Sequence, residues 1–155
     1  MVKAPIVLDA TVLIGLDRIG QLDLIPFLCD PVWVTPEVAA EFGRLQPWMS
    51  VQSAPNRALV RSLELTVDAG EASAIALASE KNSRILLDDR KARIAARQLG
   101  LTVTGTVGLL LKAKAAGRIS LLLPLIDALD QAGFHLSADL RMEALRLAGE
   151  GDHGT

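Results

Sequence analysis

A chain of 155 residues, half of them hydrophobic, is long enough to bury one real core and too apolar to be disordered. Its formal net charge of −2 gives no global basic footprint for nucleic acid. A single cysteine, Cys29, excludes intramolecular disulfides and thiolate zinc cages, and His135 and His153 are too few to form a metal set. Asp9 breaks the first apolar run, so no signal peptide is read, and runs such as Leu121–Ile126 are too short to span a bilayer. The expectation is a soluble, cytoplasmic protein with no membrane contact.

The elements alternate. Pro5–Leu8 reads as a strand and Thr11–Arg18 as a helix followed by Gly20. Leu22–Leu28 reads as a short second helix, and Val32–Val34 as a short strand. Thr35-Pro36-Glu37 is a helix start, with an N-cap, a proline at the first helical position and an acid in the first turn. That helix is expected to run to about Leu45, before Pro47, with Val38, Phe42 and Leu45 as its apolar stripe. Trp48–Asn56 reads as loop, and Ala58–Leu65 as a strand from its near-alternating leucines. Gly70–Lys81 is an alanine-rich helix, Ile85–Leu87 a strand, and Arg90–Leu99 a helix stopped by Gly100. Leu101–Val103 is a strand and Thr106–Ala116 a helix closed by Gly117. Ser120 and Ser137 are candidate N-caps for helices over Leu121–Ala132 and on to about Ala148. Strands alternating with helices predict a mainly parallel sheet covered on both faces, an α/β/α sandwich in one domain over residues 1–149 with a flexible tail over 150–155.

The acids are placed unusually. Ile6-Val7-Leu8-Asp9 is an apolar run ending in a carboxylate, and Arg84-Ile85-Leu86-Leu87-Asp88-Asp89 repeats the design. In a parallel sheet, sites form outside the carboxyl ends of the strands, where Asp9, Asp88 and Asp89 would stand. Glu71, Ile75 and Ala78 share a helix stripe, and Glu41 flanks the stripe that carries Val38. Carboxylates brought together repel and raise one another's pKa values. A hard divalent cation, Mg²⁺ or Mn²⁺, removes that conflict and suits an all-oxygen set. The same acids have an ordinary alternative: Asp9, Asp88 and Asp89 each precede a helix and can cap it, and Glu71 sits in a first turn. Glu41 is mid-helix and cannot cap.

The strings Ile6–Ile14, Val34–Phe42, Gly70–Ala78 and Leu86–Arg93 together resemble the successive blocks of PIN-domain nucleases. Gly105–Lys114 followed by Gly117, and Ala132–Ser137, resemble a largely uncharacterised PIN-like branch. The resemblance covers Ile6 to about Gly149 and implies a PIN-like fold. It implies a metal-dependent endoribonuclease, often the toxin of a toxin–antitoxin pair and often a homodimer. Carried over residue by residue, Asp9, Glu41, Glu71 and Asp89 would be catalytic and metal-holding, with Asp88 as a secondary ligand. Thr11, where Ser or Asn is common, would support Asp9 or a metal water. Glu71 stands where the better-known toxins carry aspartate.

Substrate contacts are expected from Arg90, Arg93 and Arg97, which share a helix face, and from the amide end of the helix opened by Thr106. With no Tyr, two Trp and three Phe, an aromatic platform for bases is not expected. Partners implied are RNA, an antitoxin protein and a second copy of the chain. The rival is a PIN-like scaffold with a degenerate site, acting as a protein- or nucleic-acid-interaction module. A phosphoryl-transfer site on a response-regulator-like sheet lacks the lysine it would need.

Overall fold

The computed structural model describes residues 2–151. The elements in chain order are β1 (Ala4–Leu8), α1 (Ala10–Arg18), α2 (Leu24–Leu28), β2 (Cys29–Val34), α3 (Pro36–Phe42), β3 (Met49–Val51) and α4 (Arg57–Leu63). They continue as α5 (Ala69–Lys81), β4 (Arg84–Leu86), α6 (Arg90–Gln98), β5 (Val103–Thr104), α7 (Thr106–Ala115), α8 (Leu123–Gln131) and α9 (Ala138–Leu147). The five strands form one sheet in the order β3-β2-β1-β4-β5, every neighbouring pair parallel. The helices cover it as a PIN-like α/β/α sandwich. Among the described residues, no helix is long and apolar enough to cross a membrane.

β1 is the centre of the sheet, and its neighbours show why it reads as unbroken hydrophobe. Ile6, Val7 and Leu8 are buried between β2 on one side and β4 on the other, with Val7 opposite both Trp33 and Ile85. The chain winds outward from β1 to β2 and β3, then returns to lay β4 and β5 on the opposite side. The strand order therefore reverses between β1 and β4, and a crevice is expected where their carboxyl ends diverge.

α5 shows what alanine does here. Nine consecutive residues, Gly70 to Ala78, are buried, so this helix has no solvent stripe. Small side chains let it lie close to β1 and β4 with α3, α4 and α6 packed beside it. Glu71 is thus on a helix buried all round, rather than on one buried face. α7 packs against α1, α2 and α9.

Several expectations need correction. Ala58–Leu65 is not a strand: α4 runs through it, with Asn56 accepting the Leu59 amide at 3.1 Å as its cap. Leu59 and Leu63 are four apart, Val60 and Leu63 are buried, and Leu65, the third leucine of the supposed alternation, is 85% exposed. The loop at Trp48–Asn56 contains β3, an edge strand of three residues, too short for its alternation to mark it. α3 ends at Phe42 because Gly43 turns left-handed (φ 74°), leaving Leu45 exposed. At the far end, Ser120 does not cap α8. Glu150 reaches across the chain and accepts the Leu122 and Leu123 amides at 2.7 and 3.1 Å while pairing with Lys114 at 2.5 Å. Glu150, expected at the start of a tail, is therefore tied down; residues 152–155, with His153, lie outside the described residues. On α9, Ser137 caps as expected, and Ala144 is buried, but Leu140, Met142 and Leu147 are exposed.

Candidate active site

The carboxyl end of β1 delivers Asp9 into the crevice at only 3% exposure. It occupies the N-cap position of α1, yet its side chain makes no capping hydrogen bond. Burial pushes its pKa from 3.8 to about 7, the negative charge of Glu71 adds to the rise, the Ala10 amide opposes it, and Asp68 and Glu41 raise it further. No lysine or arginine among the described residues pairs with it.

The acids around it are held by two fixed helices. Thr35, at the carboxyl end of β2, caps α3 by accepting the Val38 amide at 3.2 Å. Its hydroxyl lies 2.7 Å from that of Ser73, which donates to the Gly70 carbonyl at 2.8 Å. With Thr35 and Ser73 both fully buried, this relay fastens α3, which carries Glu41, to α5, which carries Glu71. Glu41 itself is exposed, and its Oε1 would lie 3.6 Å from a Cβ placed on Gly70, as would Asp68 Oδ1. Asp68 and Glu71 form a capping box: Asp68 Oδ1 accepts the Glu71 amide at 2.8 Å and Glu71 Oε1 accepts the Asp68 amide at 3.1 Å. Burial raises the Glu71 pKa, the Asp68 amide lowers it, and the charges of Asp68 and Asp89 raise it again. Asp68 and Ser73 were not anticipated as site residues, although Asp68-x-x-Glu71 before an alanine-rich run is a readable capping signature.

At the end of β4 the two aspartates part company. Asp89 caps α6, accepting the Ala92 amide at 2.9 Å. Asp88 turns to α7, where it accepts the Thr106 amide at 2.8 Å and the Thr106 hydroxyl at 2.6 Å. The expectation of a free Thr106 amide for substrate phosphate is thereby corrected: a carboxylate of the chain already holds it. Arg93 donates to the Leu87 carbonyl at 3.1 Å. Gly105 makes room for both groups, since a Cβ there would fall 2.5 Å from Arg93 Nη1 and 2.7 Å from Asp88 Oδ1.

Beside the acids opens a cleft of about 640 Å³. Thr11 and Asp88, near neighbours of Asp9 and Asp89 in sequence, lie at its edge, and Arg90, Arg93 and Arg97 line it along α6. The structure thus brings the three expected arginines into the lining of one cleft with Thr11 and Asp88, while Asp9, Glu41, Glu71 and Asp89 do not line it. It does not present a ready chelate: among the described residues, no three Asp, Glu, His or Cys side chains stand as a set able to hold an ion. Glu71 and Asp89 have their carboxylates turned onto helix amides, which accounts for part of this.

Comparison with curated proteins and with solved structures returns no match in either case. A family model described as DUF3368, PIN domain, matches residues 5–150, and with nearly the whole chain covered the protein belongs to this family of PIN domains, a nuclease-type fold.

Proposed function

We propose that the protein is a Mg²⁺- or Mn²⁺-dependent endoribonuclease hydrolysing RNA phosphodiester bonds. The observation that carries this reading is Asp9: a buried carboxylate without a cap bond or a cationic partner, pushed to a pKa of about 7 among other acids. Such a group is poorly accommodated for folding alone and well suited to a hard cation. Asp9, Glu41, Glu71 and Asp89 would hold the ion, with Asp88 secondary; all donors are oxygen, which fits Mg²⁺ or Mn²⁺ and not a soft metal. When bound, the ion supplies a nucleophile from water near neutral pH and offsets charge on the phosphate. Arg90 and Arg97 are the wall groups that meet the RNA backbone, and Arg93 braces the Leu87–Asp88 corner while facing the same cleft. Thr11 sits exposed at the cleft edge on the first turn of α1, where its hydroxyl can orient substrate or Asp9.

The test is cleavage of single-stranded and structured RNA by the purified protein. EDTA should stop it, Mg²⁺ or Mn²⁺ should restore it, and Ca²⁺ should support it poorly because its looser shell positions water less well. Asp9→Ala and Asp89→Ala should each lower the rate by more than roughly 100-fold, while Glu37→Ala, whose carboxylate lies 3.9 Å from Arg57 in the first turn of α3, keeps most of it. Activity retained in Asp9→Ala would place the reaction elsewhere. The second reading, an interaction module, draws on the capping bonds that the Glu71 and Asp89 carboxylates accept, which give both acids a structural role; absence of cleavage with any metal favours it.

The toxin role, an antitoxin partner and a cytoplasmic setting belong to the same proposal. A small antitoxin-like reading frame next to the gene is the expected finding. A homodimer is proposed on the exposed Leu140, Met142 and Leu147 of α9; sedimentation showing only the 16.5 kDa species at micromolar concentration rejects it.

A further inference from the structure

The cleft beside the acids has two unlike halves. One wall is α6, where Arg90, Arg93 and Arg97 recur at helical spacing; none has a carboxylate partner within ion-pair distance among the described residues. Between them, Ile94 is 46% exposed, an aliphatic side chain left in solvent on an otherwise strongly basic helix. The cleft is also lined by Phe134 and Leu136 from the connection between α8 and α9, both half-buried. At the rim the exposed His135 has its Nδ1 2.7 Å from Asp130.

Guanidiniums without a carboxylate partner call for anions, and apolar side chains lining the same cleft call for a flat, poorly hydrated body. A nucleotide carries both, joined at the spacing of a sugar. A purely anionic ligand would leave Ile94, Phe134 and Leu136 wet, and a purely apolar one would bury arginines against nothing. The cleft is lined by Thr11, two residues after Asp9, and by Asp88, the neighbour of Asp89, so a strand whose phosphate lies at the acids would pass its neighbouring residue into it.

We infer that this cleft is a nucleobase subsite: one unpaired base next to the cut phosphate seats between Ile94 and the Phe134–Leu136 segment, with its backbone phosphate on Arg90 and Arg97. This rests on the nuclease reading for the nature of the strand. It makes Ile94 and Phe134 determinants of which nucleotide is preferred beside the cut, a role the acid cluster cannot perform.

The experiment is binding in EDTA, where no strand is cut, of a short single-stranded oligonucleotide and its fully abasic counterpart of equal charge. The base-bearing strand should bind at least about fivefold tighter, as expected for base contact with apolar and aromatic side chains. Ile94→Ser, at a half-exposed position that leaves the core untouched, and Phe134→Leu should remove most of that preference while leaving abasic affinity unchanged. The double change Arg90→Gln and Arg97→Gln should weaken both strands alike and flatten the salt dependence. Equal affinity of the wild-type protein for both strands overturns the inference. So does a preference that survives both apolar substitutions, or failure of the wild-type protein to bind either strand. Cleavage assayed separately with Mn²⁺ keeps the two readings apart: activity without base preference removes only the subsite, and base preference without activity removes only the nuclease.

Discussion

The carboxyl ends of β1 and β4 start from the same local design and finish differently. Each is an apolar run ending in aspartate immediately before a helix. At β4 the acids are used: Asp89 takes the Ala92 amide and Asp88 takes the amide and hydroxyl of Thr106. At β1 the acid is deeper and makes no cap bond, and burial with acidic neighbours pushes its pKa to about 7. A carboxylate that stabilises its own helix end has a structural account complete in itself. One that costs stability and returns no local bond has its explanation elsewhere, and ion binding is the account offered for Asp9.

The largest effect that would sharpen this contrast is on the pH dependence of folding without metal. Asp9 ionises at about 7 when folded and near 3.8 when unfolded. Between those values the folded state holds a proton that the unfolded state has lost, so stability falls as pH rises, and the full cost is present above pH 7. Three pKa units correspond to on the order of 4 kcal/mol. Asp9→Asn in EDTA should therefore be more stable than the wild type at pH 8, with the advantage shrinking toward pH 4; urea melts across that range read it directly. A destabilised Asp9→Asn at pH 8 would make the two strand ends alike.

The next effect breaks the β4 end. Gly105→Ala puts a methyl against Arg93 and Asp88, and Asp88 is pinned by two hydrogen bonds, so a loss of about 1–3 kcal/mol is expected in thermal or urea melts. Asp89→Ala should cost about 1 kcal/mol by removing a cap. The smallest effects belong to Asp89→Asn and Glu71→Gln. Asparagine caps as well as aspartate and glutamine serves in a capping box, so both should stay within about 0.5 kcal/mol of wild type. A large loss in either would mean that charge, rather than the amide bond, holds those helix starts.

Much of this fold was readable because its signals are local. The apolar runs at β1 and β4, Thr35-Pro36-Glu37 at the start of α3, and the glycine after α1 and α6 each mark one boundary by one mechanism. The parts that were not readable depend on distant residues. α4 takes its helical state from burying Val60 and Leu63, with α5 packed against it, while three leucines suggested a strand; its Asn56 cap is a local signal that went unread. β3 exists because β2 offers it an edge. The start of α8 is satisfied by Glu150, 28 residues from Leu122. The acid cluster divides the same way. Asp9, Glu41, Glu71 and Asp89 stand out by position in the sequence, but which of them is bound by a cap and which is bare is decided in three dimensions. Asp88 was expected as a secondary ligand, and the Thr106 amide and hydroxyl that hold it lie 18 residues away.

The most direct measurement is thermal melting at neutral pH with increasing Mn²⁺, for the wild type and for Asp9→Asn. A ligand bound only by the folded state raises the melting temperature with its concentration. The wild-type protein should show that rise in the millimolar range, and Asp9→Asn, more stable than wild type in EDTA, should not respond. A wild-type curve that ignores Mn²⁺, or an equal rise in both proteins, would contradict the assignment of Asp9 as the centre of the site.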